Sequence, residues 1–202
     1  MNLSIITKYF YPHRILDIGA NVGQFHQLAK YYFPDSYVFS IEASSDCEPF
    51  IKQITDQYFI GLLTKDDSVY NFYSRKDLGT GTGNSIYREL TTWYDDANLN
   101  VLEKQGTPLD DLFTDDSAFD FIKIDTQGSE LDVISGGMKL CSKAKGILLE
   151  VSLTRYNENP PLIAEVHQFM SNFGYEPKDI LGVGHHPQTG EIIQNDILYI
   201  KK

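Results

Sequence analysis

The residues that most narrow the possible folds of this 202-residue chain are Arg14-Ile-Leu-Asp-Ile-Gly-Ala-Asn-Val-Gly-Gln-Phe25, followed at a readable distance by Phe39-Ser-Ile-Glu42. Ile15, Leu16 and Ile18 read as a short buried strand, and Gly19 and Gly23 let the backbone turn tightly and approach a ligand. Glu42 tips a second strand with a carboxylate able to accept hydrogen bonds from both hydroxyls of a ribose. A strand, a glycine turn, a helix and an acid-tipped strand in this order are the layout of a site for an adenosine-containing cofactor, and they place Ala43 beside it.

What the loop lacks selects among such cofactors. A dinucleotide site presents bare amides to a pyrophosphate, but here Asn21 stands where the middle glycine of that motif would be, and Asp17 precedes the turn by two residues. A carboxylate repels pyrophosphate and suits an ammonium. S-adenosylmethionine, with an ammonium, a sulfonium, a ribose and no phosphate, therefore matches the charges of Asp17, Gly19, Asn21, Gly23 and Glu42 better than NAD does.

The length suits one domain, residues 1–202, with a well-buried core. A formal net charge of -11 works against polyanionic partners, so nucleic acid is not expected. Lys139, Lys143 and Lys145 read as cations near a helix end. No run approaches the roughly 18 apolar residues that span a bilayer, and residues 1–12 do not read as a secretion signal, so a cytoplasmic protein without membrane partners is expected. Cys47 and Cys141 fit no metal or redox spacing and read as reduced thiols.

Apolar β-rich runs at Ile15–Ile18, Tyr37–Ile41, Tyr58–Leu63, Phe119–Ile124, Ile147–Val151, Ile180–Val183 and Ile197–Ile200 alternate with helical segments at Gly23–Phe33, Cys47–Thr55, Glu130–Ser135 and Leu162–Phe173. The pattern predicts an α/β, Rossmann-like fold: a mostly parallel sheet with helices on both faces. Pro187 and Gly190 between the last two strands predict a reversal, so the closing strand runs antiparallel. An insert of about 50 residues, Asp66 to Ser117, contains a hairpin strand at Val69–Tyr73 and the stretch Leu78-Gly-Thr-Gly-Thr-Gly-Asn84, which reads as a lid or as a plain loop.

Ligands of open α/β sheets bind at the carboxyl ends of the strands, which brings Asp125 and Glu150 forward as candidate catalytic carboxylates. The polar turn Thr126-Gln-Gly-Ser-Glu130 follows Asp125 and offers Gln127 and Ser129 to an acceptor. Glu150 and Glu130 equally suit the reception of backbone amides and the capping of a helix. His185 and His186 fall towards the far edge of such a sheet and read as hairpin surface; no metal site is expected.

These residues resemble the FkbM family of S-adenosylmethionine-dependent methyltransferases, through Leu16-Asp-Ile-Gly-Ala-Asn-Val-Gly-Gln-Phe25, Glu42, Leu109-Asp-Asp-Leu112, Phe121-Ile-Lys-Ile-Asp-Thr-Gln-Gly-Ser-Glu-Leu-Asp-Val-Ile-Ser-Gly136 and Leu148-Leu-Glu-Val-Ser152. The first motif is common to many methyltransferases; the Lys-Ile-Asp-x-Gln-Gly-x-Glu segment is far more specific. The resemblance implies a cofactor held by Asp17, Gly19, Asn21, Gly23 and Glu42, an active site facing Asp125 and the Gln127–Glu130 turn, and methylation of a hydroxyl on a sugar, glycan, lipid or secondary metabolite.

About a dozen residues precede the first strand, so acceptor recognition is expected from the insert, with Asn84, Ser85, Tyr87, Trp93 and Tyr94 available. Its aromatic rings either stack on a sugar or fill a small core. Asn159-Pro-Pro-Leu162 resembles an amino-methylation motif but lies after the wrong strand and lacks its aromatic ring. An NAD-dependent oxidoreductase and a catalytically silent methyltransferase-like binding domain are the alternative readings.

Overall fold

The computed structural model describes residues 1–91, 94–113, 117–155, 157–186 and 189–202. Its strands are β1 (Arg14–Ile18), β2 (Tyr37–Glu42), β3 (Tyr58–Ile60), β4 (Leu62–Leu63), β5 (Val69–Arg75), β6 (Leu99–Thr107), β7 (Phe121–Ile124), β8 (Gly146–Ser152), β9 (Tyr175–His185) and β10 (Ile192–Lys201). The helices are α1 (Gln24–Tyr32), α2 (Glu48–Ile51), α3 (Leu109–Leu112), α4 (Glu130–Ser135), α5 (Met138–Cys141) and α6 (Ile163–Asn172), with a 3-10 turn at Leu3–Lys8.

Among the described residues, seven strands form one sheet in the order β3-β2-β1-β7-β8-β10-β9, in which β10 runs antiparallel to both neighbours and the others are parallel. The order reverses between β1 and β7, where the glycine turn and Asp125 leave the sheet side by side. Both faces are covered. Leu16, Ile18, Ile122, Ile124, Ile147 and Leu149 pack on Val133, Ile134, Leu140, Val166 and Met170 from α4, α5 and α6. On the other face Ile15, Phe121 and Leu148 meet Phe25 and Ala29 of α1 and Leu3 and Ile6 of the 3-10 turn. Burial on two faces is why the central strands read as continuous apolar runs.

Several elements differ from their sequence reading. The run Tyr58–Leu63 breaks at Gly61, sending β3 into the main sheet and β4 into a second sheet of order β4-β6-β5. A side chain at Gly61 would collide with the Phe59 ring. The Leu99–Thr107 strand completes the hairpin begun by Val69–Arg75, although its alternation is blurred by exposed Val101 and Leu102. The helix expected over Cys47–Thr55 is only the four residues of α2, preceded by a 3-10 turn at Ser45–Cys47. Both strands of the closing hairpin extend beyond their apolar centres; Pro187 in its turn lies outside the described residues.

Gly19 shows how closely β1 and β7 are joined above the sheet. Its φ is +76°, and a Cβ there would lie 1.8 Å from the carbonyl oxygen of Asp125. Gly19→Ala is therefore expected to lower stability by at least about 2 kcal/mol, read as a fall of several degrees in a thermal melt. An unchanged melting temperature would mean that the turn can relax away from β7.

Candidate active site

A cavity of about 510 Å³ opens above the carboxyl ends of β1, β2, β7 and β8, within the usual size range of small-molecule sites. Gly19, Asn21, Glu42 and Ala43 line one part of its wall. Asp125, Gln127, Ser129 and Glu150 line another, and Asn84 and Ser85 reach it from the insert. Ten of the twelve residues expected from sequence thus share one cavity. Gly23 and Asp17 do not reach the wall. Gly23, with φ +87°, starts α1. Asp17 is fully buried beneath the turn, where it faces Lys123, so its carboxylate can influence a ligand only through its neighbours.

Glu42 organises the first half of the site. One oxygen accepts the backbone N–H of Asn21 at 2.8 Å and the other that of Ser44 at 2.7 Å. A carboxylate offers about four acceptor positions, so positions remain for two ribose hydroxyls. Burial raises the Glu42 pKa against the opposing pull of these amides and of Lys123.

The two residues oriented by Glu42 grip the insert. Asn21 donates from its side-chain amide to the carbonyl of Thr80 at 3.0 Å, and the Ser44 hydroxyl donates to that of Gly79 at 3.1 Å. The Gly79–Gly83 stretch is thereby tied as a strap to the glycine turn and the end of β2, with Gly81 and Gly83 on the cavity wall. On the far side Ser85 donates to the carbonyl of Thr126 at 2.9 Å. From β6, Lys104 donates to the Ala43 carbonyl at 2.6 Å and lies over the Phe72 ring. Tyr94 is buried and Tyr87 donates to Asp132 at 2.8 Å, so both rings serve packing within the fold; Trp93 lies outside the described residues.

The other half centres on Asp125 and Glu150. Gln127, held at φ +56°, donates to both carboxylates, and Gln194 of β10 donates to Glu150. Burial pushes Asp125 upward, but the Lys123 ammonium at 3.1 Å and hydrogen bonds from Gln127, Lys123 and Glu150 outweigh it and leave the group below the ordinary carboxylate range. For Glu150, burial and the charges of Asp125, Glu130 and Asp196 all act upward and raise its pKa well above the usual value. The neighbouring carboxyls are thus driven in opposite directions, Asp125 towards the ionised form and Glu150 towards the protonated one.

Sequence reasoning passed over Lys123 and Gln194 and read His185 as hairpin surface; all three are on the wall. A lysine inside the apolar run Phe121–Ile124 was the available signal for the first. The other two arrive through the β9–β10 hairpin, which brings Gly184 and His185 to the cavity beside β8; the exposed His185 is at the cavity mouth as well as on the hairpin.

The sequence pattern of the Methyltransferase FkbM domain matches residues 17–177. The chain belongs to this family. No curated protein sequence matches it significantly. Its fold is shared with an FkbM methyltransferase from Methylobacillus flagellatus KT (17% identity, TM-score 0.55), the match covering 93% of this chain and 43% of that one. This chain therefore corresponds to less than half the length of that relative. The precorrin-6y C5,15-methyltransferase of Geobacter metallireducens GS-15 (12% identity, TM-score 0.52) is matched over 98% of this chain and 87% of its own. The N-terminal domain of EvdMO1, whose structure was determined in the presence of S-adenosylhomocysteine and D-fucose, is 9% identical with a TM-score of 0.54, over 99% and 81%.

The family is S-adenosylmethionine-dependent, and the site fits that cofactor. Glu42 is at the wall beside Gly19, and among the described lining residues the one Lys or Arg is Lys123, already engaged by two carboxylates. Among the described residues, no helix is long and apolar enough to cross a membrane.

Glu130 shapes the turn. Its Oε1 accepts the N–H groups of Thr126 at 2.9 Å and Gly128 at 3.0 Å, while burial, opposed by backbone amides, raises its pKa to about 7. A raised carboxyl pKa contributes stability that is complete below about 4.5, the value in the unfolded chain, and is lost as pH rises through about 7. Glu130→Gln keeps the single accepting oxygen and removes the proton. It should flatten the decline in stability between pH 5 and 8 by up to roughly 3 kcal/mol, followed by chemical denaturation at each pH. An identical slope in the variant would assign the decline to other groups.

Proposed function

We propose that this FkbM domain methylates a hydroxyl group of a small or glycan-linked acceptor. The observation that carries the reading is the shared cavity: the glycine turn and Glu42 on one side, Asp125 with its pKa lowered beside Glu150 with its pKa raised on the other, and the strap on its wall. The structure of EvdMO1 determined with S-adenosylhomocysteine and D-fucose is a precedent for a sugar in this fold.

When bound, the cofactor supplies an electrophilic methyl group on a sulfonium. The backbone of Gly19–Asn21, Glu42 and Ala43 would hold it, the ionised carboxylates compensating its positive charge. Asp125 retains solvent access, with 30% of its side chain exposed, and is the group able to accept the hydroxyl proton as the new bond forms. Glu150, whose pKa is raised, instead shares Gln127 with it and steadies its orientation. Gln127, Ser129, Asn84 and Ser85 line the space in which an acceptor is oriented. The strap excludes water from that space, and its release admits and discharges ligands.

Thermal unfolding separates cofactor classes. S-adenosylmethionine or S-adenosylhomocysteine at about a hundredfold over Kd should stabilise the protein by about 2.7 kcal/mol, and NAD should not. Stabilisation by NAD alone refutes the reading. Asp125→Asn should keep that stabilisation and lower transfer of labelled methyl groups into a cell extract by about 10²–10⁴-fold. Undiminished transfer would remove Asp125 from the reaction.

The strap makes its own prediction. Asn21→Gly keeps the backbone N–H to Glu42 and tolerates the φ of +49°, but loses the side-chain grip on Thr80. Release of S-adenosylhomocysteine, timed by stopped flow, should quicken several-fold. An unaltered rate would show that the strap does not gate the cavity.

A further inference from the structure

Lys123 has more to answer for than a buried lysine usually does. Parallel pairing sets it directly beside Asp17, and its ammonium is 3.6 Å from Asp17 and 3.1 Å from Asp125 while donating to the Gly19 carbonyl at 3.1 Å. Among the described residues neither oxygen of Asp17 has a hydrogen-bond partner, and the Lys123 charge is what offsets the burial of this carboxylate. From α1 the ammonium meets the Phe25 ring. The carboxyls around it are Asp17 on β1, Glu42 on β2, Asp125 just after β7, Glu150 on β8 and Asp196 on β10. One cation cannot keep so many buried acids ionised, and its position decides which of them are.

We propose that Lys123 is a positioning residue for methyl transfer: one ammonium ties the glycine turn to the end of β7, holds Asp125 as the ionised member of its pair, and so leaves the pair's proton on Glu150. The consequence for catalysis rests on the reading of Asp125 as proton acceptor, whereas the proton arrangement is a property of the protein alone. A lysine that merely filled the core would have no such effect on which acid is charged.

The test is carboxyl carbon NMR of cofactor-free protein labelled in Asp and Glu, with Asp125→Asn and Glu150→Gln assigning the signals. In the wild type, Asp125 should stay ionised from pH 5 to 9 while Glu150 titrates above it. Lys123→Met should move the Asp125 titration up by at least about one pH unit, and Lys123→Arg should preserve the wild-type order. A folded Lys123→Met protein, judged by circular dichroism, with an unmoved Asp125 curve overturns the proposal. If that variant does not fold, Lys123→Met with Asp17→Asn removes the cation and one buried anion together and is read in the same way. Wild-type protein in which Glu150 ionises before Asp125 overturns it whatever the variants do. Calorimetry with S-adenosylhomocysteine on the wild type keeps the two questions apart: absent binding refutes the methyltransferase reading and leaves the titration result standing.

Discussion

A single ammonium buried among carboxylates governs the arrangement of this site. Desolvation penalises every charge at the ends of β1, β7 and β8, and Lys123 relieves that penalty for Asp17 and Asp125 while lying against the carbonyl of the glycine turn. The consequence is asymmetric. Asp17 and Asp125 lie 3.6 Å and 3.1 Å from the cation, while Glu150 is surrounded by other acids and burial and their charges raise its pKa well above the usual value. Electrostatic competition inside the sheet thus gives two similar side chains different chemistry, as environment does wherever paired carboxyls divide roles.

The same economy appears on the opposite wall. Glu42 accepts two backbone amides, from Asn21 and Ser44, and those two residues spend their side chains on the carbonyls of the strap. A ligand that draws on the remaining acceptor capacity of Glu42 would be felt at the strap through two intervening residues. Lys104, reaching from β6 to the Ala43 carbonyl, adds a third tie between the insert and the end of β2. The insert is therefore part of the site's construction rather than an appendage to it.

Much of this was legible before any coordinates. Period, glycine placement and acid-tipped strands announce the α/β sheet, and ten expected site residues meet at one cavity because strand ends above a topological switch point must converge. What escaped the sequence had physical causes. Asp17 looks like a ligand because a strand residue near a turn has no visible depth along the chain; only packing of the turn over it shows that it is buried. The Leu99–Thr107 strand was hidden because consecutive Val101 and Leu102, which point to opposite faces, are both exposed, so the strand lacks the clean alternation of a core strand. Gln194 and His185 arrive from the β9–β10 hairpin, whose place beside β8 is a matter of strand order.

By itself the sequence determined the class of fold, the glycine turn, and the identity of the acids that crown the sheet, because these follow from local backbone freedom and from the periodic burial of apolar side chains. Only the tertiary structure decided which of those acids has its pKa lowered, which has it raised, and which never reaches the cavity. Charge state depends on distances between groups as far apart in sequence as Asp17, Lys123 and Glu150, and on how much water each retains, and neither quantity exists until the strands lie side by side.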